Sequence, residues 1–315
     1  MTSLGTRSFD ADATAALLDY SPLVRVLRQT IIEYGAGHIV SPERLAIPMQ
    51  EAGLMLSMPA SAKDIAIHKL VTVCPSNRKR QLPTIHGQVI ACDAHTGDML
   101  FVLDGPTVTA RRTAAVTVLG IQALHGKAPR TMLIIGTGKQ AANHAEAFAA
   151  SFPEAKLFVK GSSQAAAGAF VARTRSVAPN LSVLDGDVIP DSIEVVITLT
   201  TSKSPVYTLS ARPGRLVVGV GAFTADAAEI GRETVDGSFV VVDDPVGATH
   251  EAGDLIQAGV EWASVSPLAK ALAGELKPSA PILFKSVGCA AWDLGACRAA
   301  RSALDSNART IRADR

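Results

Sequence analysis

Residues 131–141 of this 315-residue chain are TMLIIGTGKQA. Residues 131–135 form a short apolar run typical of a buried strand, and helix-compatible residues follow directly after it. Gly136 permits a tight turn there, and Gly138 lets the backbone N–H groups of a helix N-terminus approach a pyrophosphate. Ala141 replaces the third glycine of the G-x-G-x-x-G pattern, which tolerates this change. The stretch predicts a dinucleotide-binding loop, and a structural glycine turn in a ligand-free domain is the alternative.

Short apolar segments alternate with helix-compatible segments after this loop. Such alternation indicates a parallel sheet covered by helices. The predicted strands are 156–160, 181–184, 195–200, 216–220, 239–243 and 282–284, and the predicted helices are 140–151, 163–178, 250–274 with breaks at Gly259 and Pro267, and 290–307. The sequence therefore predicts an α/β fold with a doubly wound parallel sheet of the Rossmann type.

The N-terminal third has a different pattern. Its apolar or alternating segments are short and bounded by Gly, Pro and Asp, which indicates an antiparallel or mixed sheet in an α+β region. Ser21 and Pro22 are typical of an N-cap followed by a proline at the first helical position. The predicted helices are 11–20, 21–34 and 109–125, the predicted strands are 44–48, 53–58, 64–73, 87–93 and 99–104, and a hairpin turn is predicted at 95–98.

Composition excludes several classes of protein. Hydrophobic residues make up 48% and charged residues 19%, which argues against a disordered chain. With 30 Lys and Arg against 29 Asp and Glu, and only 4% aromatic residues, we expect no nucleic-acid binding. No apolar run approaches the ~20 residues of a membrane span, so we expect no membrane contact. Four scattered cysteines predict free thiols, a cytoplasmic protein and no metal site.

The end of the second α/β strand indicates which cofactor binds. An NAD site usually places an acid there to bind the ribose hydroxyls, whereas Lys160, Ser162 and Ser163 offer one cation and two hydroxyls. We therefore expect NADPH, with NADH used less efficiently. The alternative is that Lys160 faces solvent and that the site does not distinguish cofactors with and without the 2′-phosphate. The predicted cofactor contacts are Gly136, Thr137, Gly138, Lys139, Gln140, Lys160, Ser162, Ser163, Thr200 and Val220.

Polar residues interrupt the apolar strands of the N-terminal third. Lys69 lies within IAIHKLVTV, where a buried lysine is costly without a partner. Arg111 and Arg112 open the predicted helix, where cations oppose the helix dipole. Cations that converge without matching acids predict a site for a small anion, such as a carboxylate. There is an alternative for each residue. Arg112 would lie on the surface, Lys69 would reach solvent from an edge strand, and His86 would be an ordinary strand histidine.

Longer motifs identify a family. They are KLVTVCPSNRKRQLPTIHG (69–87), DAHTGDML (93–100), DGPTVTARRTAA (104–115), GTGKQA (136–141), GVGAFTADAAEI (219–230), AGDL (252–255) and FKSVGCAAWDL (284–294). In this order, they resemble the ornithine cyclodeaminase/mu-crystallin family. That family includes cyclodeaminases, imine and ketimine reductases, alanine dehydrogenases and mammalian mu-crystallin.

The resemblance implies a discontinuous architecture. Residues 1–115 and 286–315 would form a substrate and dimerisation domain, and residues 116–285 would form an inserted Rossmann domain that binds NADP(H). It also implies a homodimer that forms through the N-terminal sheets. The implied substrate contacts are Arg44, Lys69, Thr84 and Arg112, of which Lys69 and Arg112 are the implied catalytic residues.

Departures from the family pattern narrow the predicted activity. Leu56 and Phe223 stand where cyclodeaminases carry Glu and Asp, and neither side chain can handle the amine of a deamination. Trp292 stands where many members of the family carry Glu or another polar residue. The sequence thus predicts NADPH-dependent reduction of a small cyclic imino acid, Δ1-pyrroline-2-carboxylate and/or Δ1-piperideine-2-carboxylate, to L-proline or L-pipecolate. Lys69, His86 and water stay open as the proton donor.

Three alternative functions remain. An ornithine cyclodeaminase would release ammonia from ornithine. An alanine-type dehydrogenase would need ammonia together with an open-chain keto acid. A non-enzymatic, crystallin-like protein would bind NADPH and a ligand without turnover.

Overall fold

The computed structural model describes residues 6–277 and 281–313, with side chains up to residue 309. The chain forms two compact units. The N-terminal unit comprises Met1–Arg112 and Cys289–Arg315, and the central unit comprises Thr113–Gly288. These junctions lie three residues from the predicted ones at 115/116 and 285/286.

The N-terminal unit contains one six-stranded sheet and the helices that cover one of its faces. Its strands run in the order β1-β6-β5-β4-β3-β2, and all neighbours are antiparallel except β1 and β6. Helix α10 packs on α2, β3 and β4. The elements are β1 (Arg7–Ser8), α1 (Ala11–Ala16), α2 (Tyr20–Gly35), β2 (Leu45–Pro48), β3 (Leu54–Ser61), β4 (Ile65–Val73), β5 (Ile85–Asp93), β6 (Met99–Asp104), the first turns of α3 (Gly105–Leu124), and α10 (Ala290–Ala313).

Alternation along the strands decides which side chains face the core. On β4, Ile65, Ile67, Lys69 and Val71 are buried, whereas His68 and Leu70 are exposed on the opposite face. This period of two is the pattern of a sheet with a single covered face. Lys69 therefore points toward the helices although it is charged.

The central unit contains a parallel eight-stranded sheet with the order β13-β12-β14-β11-β10-β7-β8-β9. The strand order reverses between β7 and β10, which is the topological switch point where such folds bind ligands. The strands are β7 (Thr131–Ile135), β8 (Lys156–Lys160), β9 (Leu181–Val183), β10 (Val195–Thr198), β11 (Leu216–Gly219), β12 (Phe239–Val242), β13 (Ser266–Pro267) and β14 (Ile282–Lys285). The remaining helices are α4 (Lys139–Ser151), α5 (Gln164–Thr174), α6 (Arg232–Asp236), α7 (Pro245–Glu251), α8 (Gly253–Ala258) and α9 (Leu268–Leu272).

Some predicted boundaries are wrong. Asp19, not Ser21, is the N-cap of α2, and Pro22 lies in the first turn, where its missing N–H is not needed. Helix α3 begins at Gly105 because the Asp104 carboxylate accepts a hydrogen bond from the Thr107 N–H at 2.8 Å. The region 250–274 is broken into short helices and β13, and the expected break at Gly259 has a left-handed φ of 70°.

Within residues 6–277 and 281–313, no helix combines the length and the apolarity of a membrane crossing.

Candidate active site

Two buried cations share one buried carboxylate in the N-terminal unit. Lys69 Nζ lies 2.5 Å from Asp293 Oδ2, and Arg112 Nε lies 3.1 Å from Asp293 Oδ1. Lys69 is 3% exposed, Arg112 is 5% exposed and Asp293 is fully buried. Strand β4, helix α3 and helix α10 each contribute one residue, so the fold brings together side chains that are distant in sequence. We call these three residues the Lys69 cluster.

The expectation that no acid matches these cations is wrong. Asp293 lies 224 residues after Lys69 and reaches it through the return of α10 to the sheet. Arg44 adds a further cation, because it precedes β2 by one residue and so falls opposite Met58, which pairs with Lys69. Two cations thus contact one carboxylate, Arg44 lies close enough to act on Lys69, and the positive excess of the cluster fits a small anion.

Both cations keep donors that the described part of the chain does not use. Arg112 donates through Nε, and neither terminal nitrogen of its guanidinium has an acceptor among residues 6–277 and 281–313. The Lys69 ammonium likewise makes one hydrogen bond there, to Asp293. A guanidinium fork of this kind matches a carboxylate in a bidentate fashion. The cluster can therefore accept an anion without breaking its internal contacts.

The electrostatics of the cluster favour proton transfer by Lys69. Burial lowers the pKa of Lys69 to about 8, and the neighbouring charges of Arg112 and Arg44 act in the same direction. The charge of Asp293 and its hydrogen bond oppose this fall. Burial alone would raise the pKa of Asp293, but Lys69 and Arg112 hold it below its ordinary value. Lys69 is therefore protonated at neutral pH and can lose its proton near pH 8.

Arg111 has a different role from its neighbour. Its Nε donates to the Leu18 carbonyl at 2.8 Å, and its guanidinium lies 4.2 Å from the centroid of the Tyr20 ring. The two arginines also lie beyond the first turn of α3, so the argument from the helix dipole was wrong for both. Arg111 is a packing residue, whereas Arg112 belongs to the Lys69 cluster.

Two other predicted residues lie apart from the cluster. His86 pairs with Thr72 on β4 and so stands on the exposed face, opposite to the face of Lys69. Thr84 lies five positions before Val89, the partner of Lys69 on β5, and hence about 17 Å along the strand. Its contact with substrate stays a prediction.

The residues that depart from the cyclodeaminase pattern are apolar in the structure as well. Leu56 shares the sheet face of Lys69 and pairs with Val71, and Phe223 is 51% exposed in the loop after β11. Trp292 is fully buried, and its ring packs edge-on against Tyr34 with 5.2 Å between centroids.

The glycine loop of the central unit has the geometry of a phosphate cradle. Gly136 has a φ of 127°, and a Cβ at this position would lie 2.6 Å from the Leu199 carbonyl oxygen. Gly138 is the N-cap of α4 and makes no side-chain cap, and a Cβ there would meet no protein atom within 4 Å. Packing thus requires glycine at 136, whereas the space at 138 is open to a ligand.

A buried acceptor next to this loop supports the same assignment. Gln140 Oε1 is buried and has no hydrogen-bond partner in the described part of the chain. A dinucleotide offers ribose hydroxyls and phosphates, which match a buried acceptor and the uncapped N–H groups of α4. The residues present therefore fit a dinucleotide. Lys139 is exposed on the same turn, and Thr137 lies between the glycines.

Sequence reasoning missed a buried carboxylate beyond the carboxyl ends of β10 and β11. Glu229 is fully buried, and its Oε1 accepts hydrogen bonds from the Thr200 N–H at 2.6 Å and the Thr200 hydroxyl at 2.8 Å. Its Oε2 accepts from the N–H groups of Gly221 at 2.6 Å and Ala222 at 3.0 Å. Glu229 thereby ties together the segments that follow β10 and β11, which carry the predicted contacts Thr200 and Val220.

A second buried acid, Asp254, binds the backbone at Glu229. Lys285 Nζ lies 2.5 Å from Asp254 Oδ2 and donates to the Ala222 carbonyl at 2.6 Å. Asp254 Oδ1 accepts from the backbone N–H groups of Glu229 and Ile230. Acids inside the apolar motifs AAEI and AGDL were the sequence signal for this network.

The end of β8 holds the residues predicted to select the cofactor. Lys160 Nζ donates to the Asp187 carbonyl at 2.7 Å, and the Asp187 carboxylate lies 3.8 Å from it. Ser163 is the N-cap of α5, since its hydroxyl oxygen accepts from the Ala166 N–H at 3.1 Å. Ser162 is exposed. The structure thus brings an acid from a later loop to a segment that contains none.

Comparison with known proteins shows what the chain is similar to. It is 67% identical over 296 residues to a Δ1-pyrroline-2-carboxylate/Δ1-piperideine-2-carboxylate reductase of Azospirillum brasilense, covering 94% of this chain and 95% of the relative. It is 66% identical over 299 residues to Δ1-pyrroline-2-carboxylate reductase 2 of Burkholderia ambifaria, covering 95% and 96%.

A solved structure has the same fold. Δ1-pyrroline-2-carboxylate reductase of Thermococcus litoralis, in complex with NADH and L-proline, superimposes with a TM-score of 0.86 at 24% identity, covering 96% of this chain and 98% of that one. The sequence profile of the ornithine cyclodeaminase/mu-crystallin family matches residues 12–307. This match spans nearly the whole chain, and the protein therefore belongs to the ornithine cyclodeaminase/mu-crystallin family.

Proposed function

We propose that the protein reduces a cyclic imino acid, Δ1-pyrroline-2-carboxylate and/or Δ1-piperideine-2-carboxylate, to the L-amino acid with NADPH. The Lys69 cluster is the observation that carries this proposal. It is a buried site with excess positive charge, unused donors and one lysine poised to lose a proton. Relatives named as reductases of these imines, 66–67% identical over nearly the whole chain, support the same conclusion.

Arg112 binds the substrate carboxylate in this proposal. Its Nε is held by Asp293, so its terminal nitrogens present a fixed fork to an incoming anion. Arg44 adds long-range attraction for the same negative charge. The carboxylate thereby fixes the imine carbon and nitrogen in one orientation, which lowers the entropic part of the barrier.

Lys69 supplies the proton that imine reduction consumes. The nitrogen of the C=N bond takes a proton from the Lys69 ammonium, and the adjacent carbon becomes electrophilic. When bound, the dinucleotide supplies the hydride that this carbon accepts, so that the C=N double bond becomes a C–N single bond. Neutral Lys69 then regains a proton from water. His86 is a poorer candidate because it stands on the other face of the sheet.

Gly136, Gly138, Gln140 and the N-terminus of α4 would hold the dinucleotide, with Lys160 and Ser162 near its adenosine ribose. The cation and the hydroxyl support NADPH, and the nearby Asp187 supports residual use of NADH. The roles of the two units follow from these positions. The N-terminal unit binds the substrate and the central unit binds the cofactor.

The N-terminal sheet also supports a homodimer. Its face opposite to Lys69 exposes Leu45 and Ile47 on β2, Leu70 on β4 and Ile90 on β5. Exposed apolar side chains on one face of a sheet favour burial against another copy. A cytoplasmic location stays a prediction, which the four scattered cysteines of the sequence support.

NADPH oxidation against a panel of substrates tests this function. We expect turnover with cyclic imine carboxylates, little with open-chain keto acids plus ammonia, and no ammonia from ornithine. Leu56 and Phe223 offer no carboxylate for a deamination, which supports the last expectation. Ammonia-dependent turnover would favour the dehydrogenase, and NADPH binding without any turnover would favour the crystallin-like protein.

A further inference from the structure

Asp293 is the carboxylate that the two cations of the cluster share. Each of its oxygens contacts a different cation, Oδ2 with Lys69 and Oδ1 with Arg112. We propose that Asp293 is a positioning residue that aims the Lys69 ammonium at the substrate nitrogen and keeps it charged for every turnover, while it turns the fork of Arg112 toward the substrate carboxylate. This inference rests on the proposed function.

The geometry supports positioning rather than substrate contact. Asp293 is fully buried, and it uses Arg112 Nε, which leaves both terminal nitrogens of the guanidinium for a ligand. A hydrogen bond at Nε limits the orientations of the fork, whereas an arginine without such a contact samples several rotamers. Asp293 therefore reduces the conformational freedom of both substrate-facing groups.

Helix α10 makes Asp293 a rigid support. Asp293 lies in the first turn of α10, where the helix dipole stabilises a negative charge. One turn and a half further on, Arg298 donates to Asp64 at 2.6 Å and to Glu33 at 2.7 Å. These contacts fix α10 against α2 and the start of β4. The carboxylate thus keeps its place when a substrate arrives.

The charge of Asp293 is also needed chemically. The groups that act on Lys69 from the surrounding elements are Arg44 before β2, Arg112 on α3, and Asp293 on α10. Burial and the two arginines all favour the neutral amine, and Asp293 alone opposes them. Cys297, which also lies near Asp293, stays a neutral thiol because burial raises its pKa. Removal of the Asp293 charge would therefore leave Lys69 largely neutral at the pH where it must donate.

The test compares the pH profile of kcat/KM for imine reduction in Asp293→Asn and in the unmodified protein. The unmodified protein should lose activity as the pH rises through about 8, because deprotonated Lys69 cannot donate. In Asp293→Asn, we expect activity to fall at a pH about one unit or more lower. We also expect kcat at pH 8 to be reduced about 10-fold. The same substrate is used throughout, so a difference between profiles reports on the protein.

Asp64→Asn is the matched control, because it removes an equal charge from a partner of the same helix that does not contact Lys69. It should lower the thermal midpoint and leave the basic limb in place. Asp293→Glu, which retains the charge on a longer side chain, should keep the basic limb near pH 8 while kcat falls. The Glu variant also decides the question if the Asn variant does not fold.

The outcomes separate the two proposals. If the unmodified protein reduces no cyclic imine, the proposed function fails. If it reduces imines and Asp293→Asn keeps the original basic limb, the role of Asp293 is contradicted while the function stands. A basic limb that moves down equally in Asp293→Glu would also contradict it, because the charge is present in that variant.

Discussion

Arg112 Nε lies 3.1 Å from Asp293 Oδ1, so Asp293 contacts the guanidinium at Nε and not at its two terminal nitrogens. The partner of Nε differs in the neighbouring Arg111, whose Nε donates to the Leu18 carbonyl. Of these adjacent arginines of one helix, Arg111 packs in the core, and Arg112 is the one that we propose to bind the substrate carboxylate. Mutational effects at the two positions should differ accordingly.

Arg112→Ala should lower kcat/KM for the imine about 10²-fold or more, because the loss of a charge-assisted carboxylate contact in a buried site is worth roughly 2–4 kcal/mol. Arg112→Lys should recover only part of this loss, since lysine has no bidentate fork. Steady-state kinetics measure both values. Arg111→Lys is the control and should lower stability while it retains most of kcat/KM. An unchanged kcat/KM in Arg112→Ala would remove Arg112 from the site.

Cofactor choice should depend on the end of β8. Ser162→Asp places a carboxylate beside Lys160, and we expect it to weaken NADPH binding while it spares NADH. Fluorescence titration gives the two dissociation constants. Ser302→Asp adds the same charge at an exposed position of α10 and should change neither dissociation constant. Equal kcat/KM for both cofactors in the unmodified protein would contradict the predicted preference for NADPH.

Stability at low pH should depend on His144 in the central unit. Burial lowers the pKa of His144 to about 4, and the ring lies between the Thr117 hydroxyl at 3.0 Å and the Gln140 carbonyl at 2.8 Å. The unfolded chain takes up this proton near pH 6.5, so the folded state loses stability between pH 6.5 and 4. The loss amounts to about 3 kcal/mol.

Urea unfolding at several pH values checks this expectation. His144→Gln should remove most of the extra pH dependence between pH 6.5 and 4, whereas His95→Gln in the exposed turn should keep it. If the free energy of unfolding depends on pH equally in the unmodified protein and in His144→Gln, His144 is not the cause of the loss of stability at low pH.

The exposed face of the N-terminal sheet should form the homodimer. Leu70→Glu combined with Ile90→Glu places charges in the middle of this face, and we expect monomers because two buried, unpaired carboxylates per copy are costly. Light scattering at micromolar concentration measures the mass. Val188→Glu, at an exposed site in the central unit, should leave the dimer intact. A monomeric unmodified protein would contradict the assignment.

Local patterns predicted most of the fold. The strand and glycine turn at 131–138 were predictable because the apolar run, the turn and the helix N-terminus are contiguous in sequence. Alternation likewise located β4, β5 and β6 to within two residues at either end. Helix ends were less predictable, since Asp19 and Ser21 are both good N-caps and the packing of α2 decides between them.

The site was predictable in part. Lys69 and Arg112 attract attention because each breaks a local rule, but the acid that pairs with them lies more than 180 residues from both along the chain. A single sequence carries no signal for such a pairing. Glu229 was missed for the same reason, because its four donors come from segments that only the sheet brings together. Motifs therefore locate the cations, and the tertiary fold supplies their counterions.

The most direct test of the central claim follows one hydrogen atom. The unmodified protein is incubated with Δ1-pyrroline-2-carboxylate and NADPH deuterated at the transferring position of the nicotinamide, and the product is analysed by mass spectrometry and chiral chromatography. Reduction by the proposed route predicts L-proline with one deuterium on its α-carbon, and loss of most of this product in Lys69→Ala and Arg112→Ala. Proline without deuterium, or full activity in both variants, would contradict it.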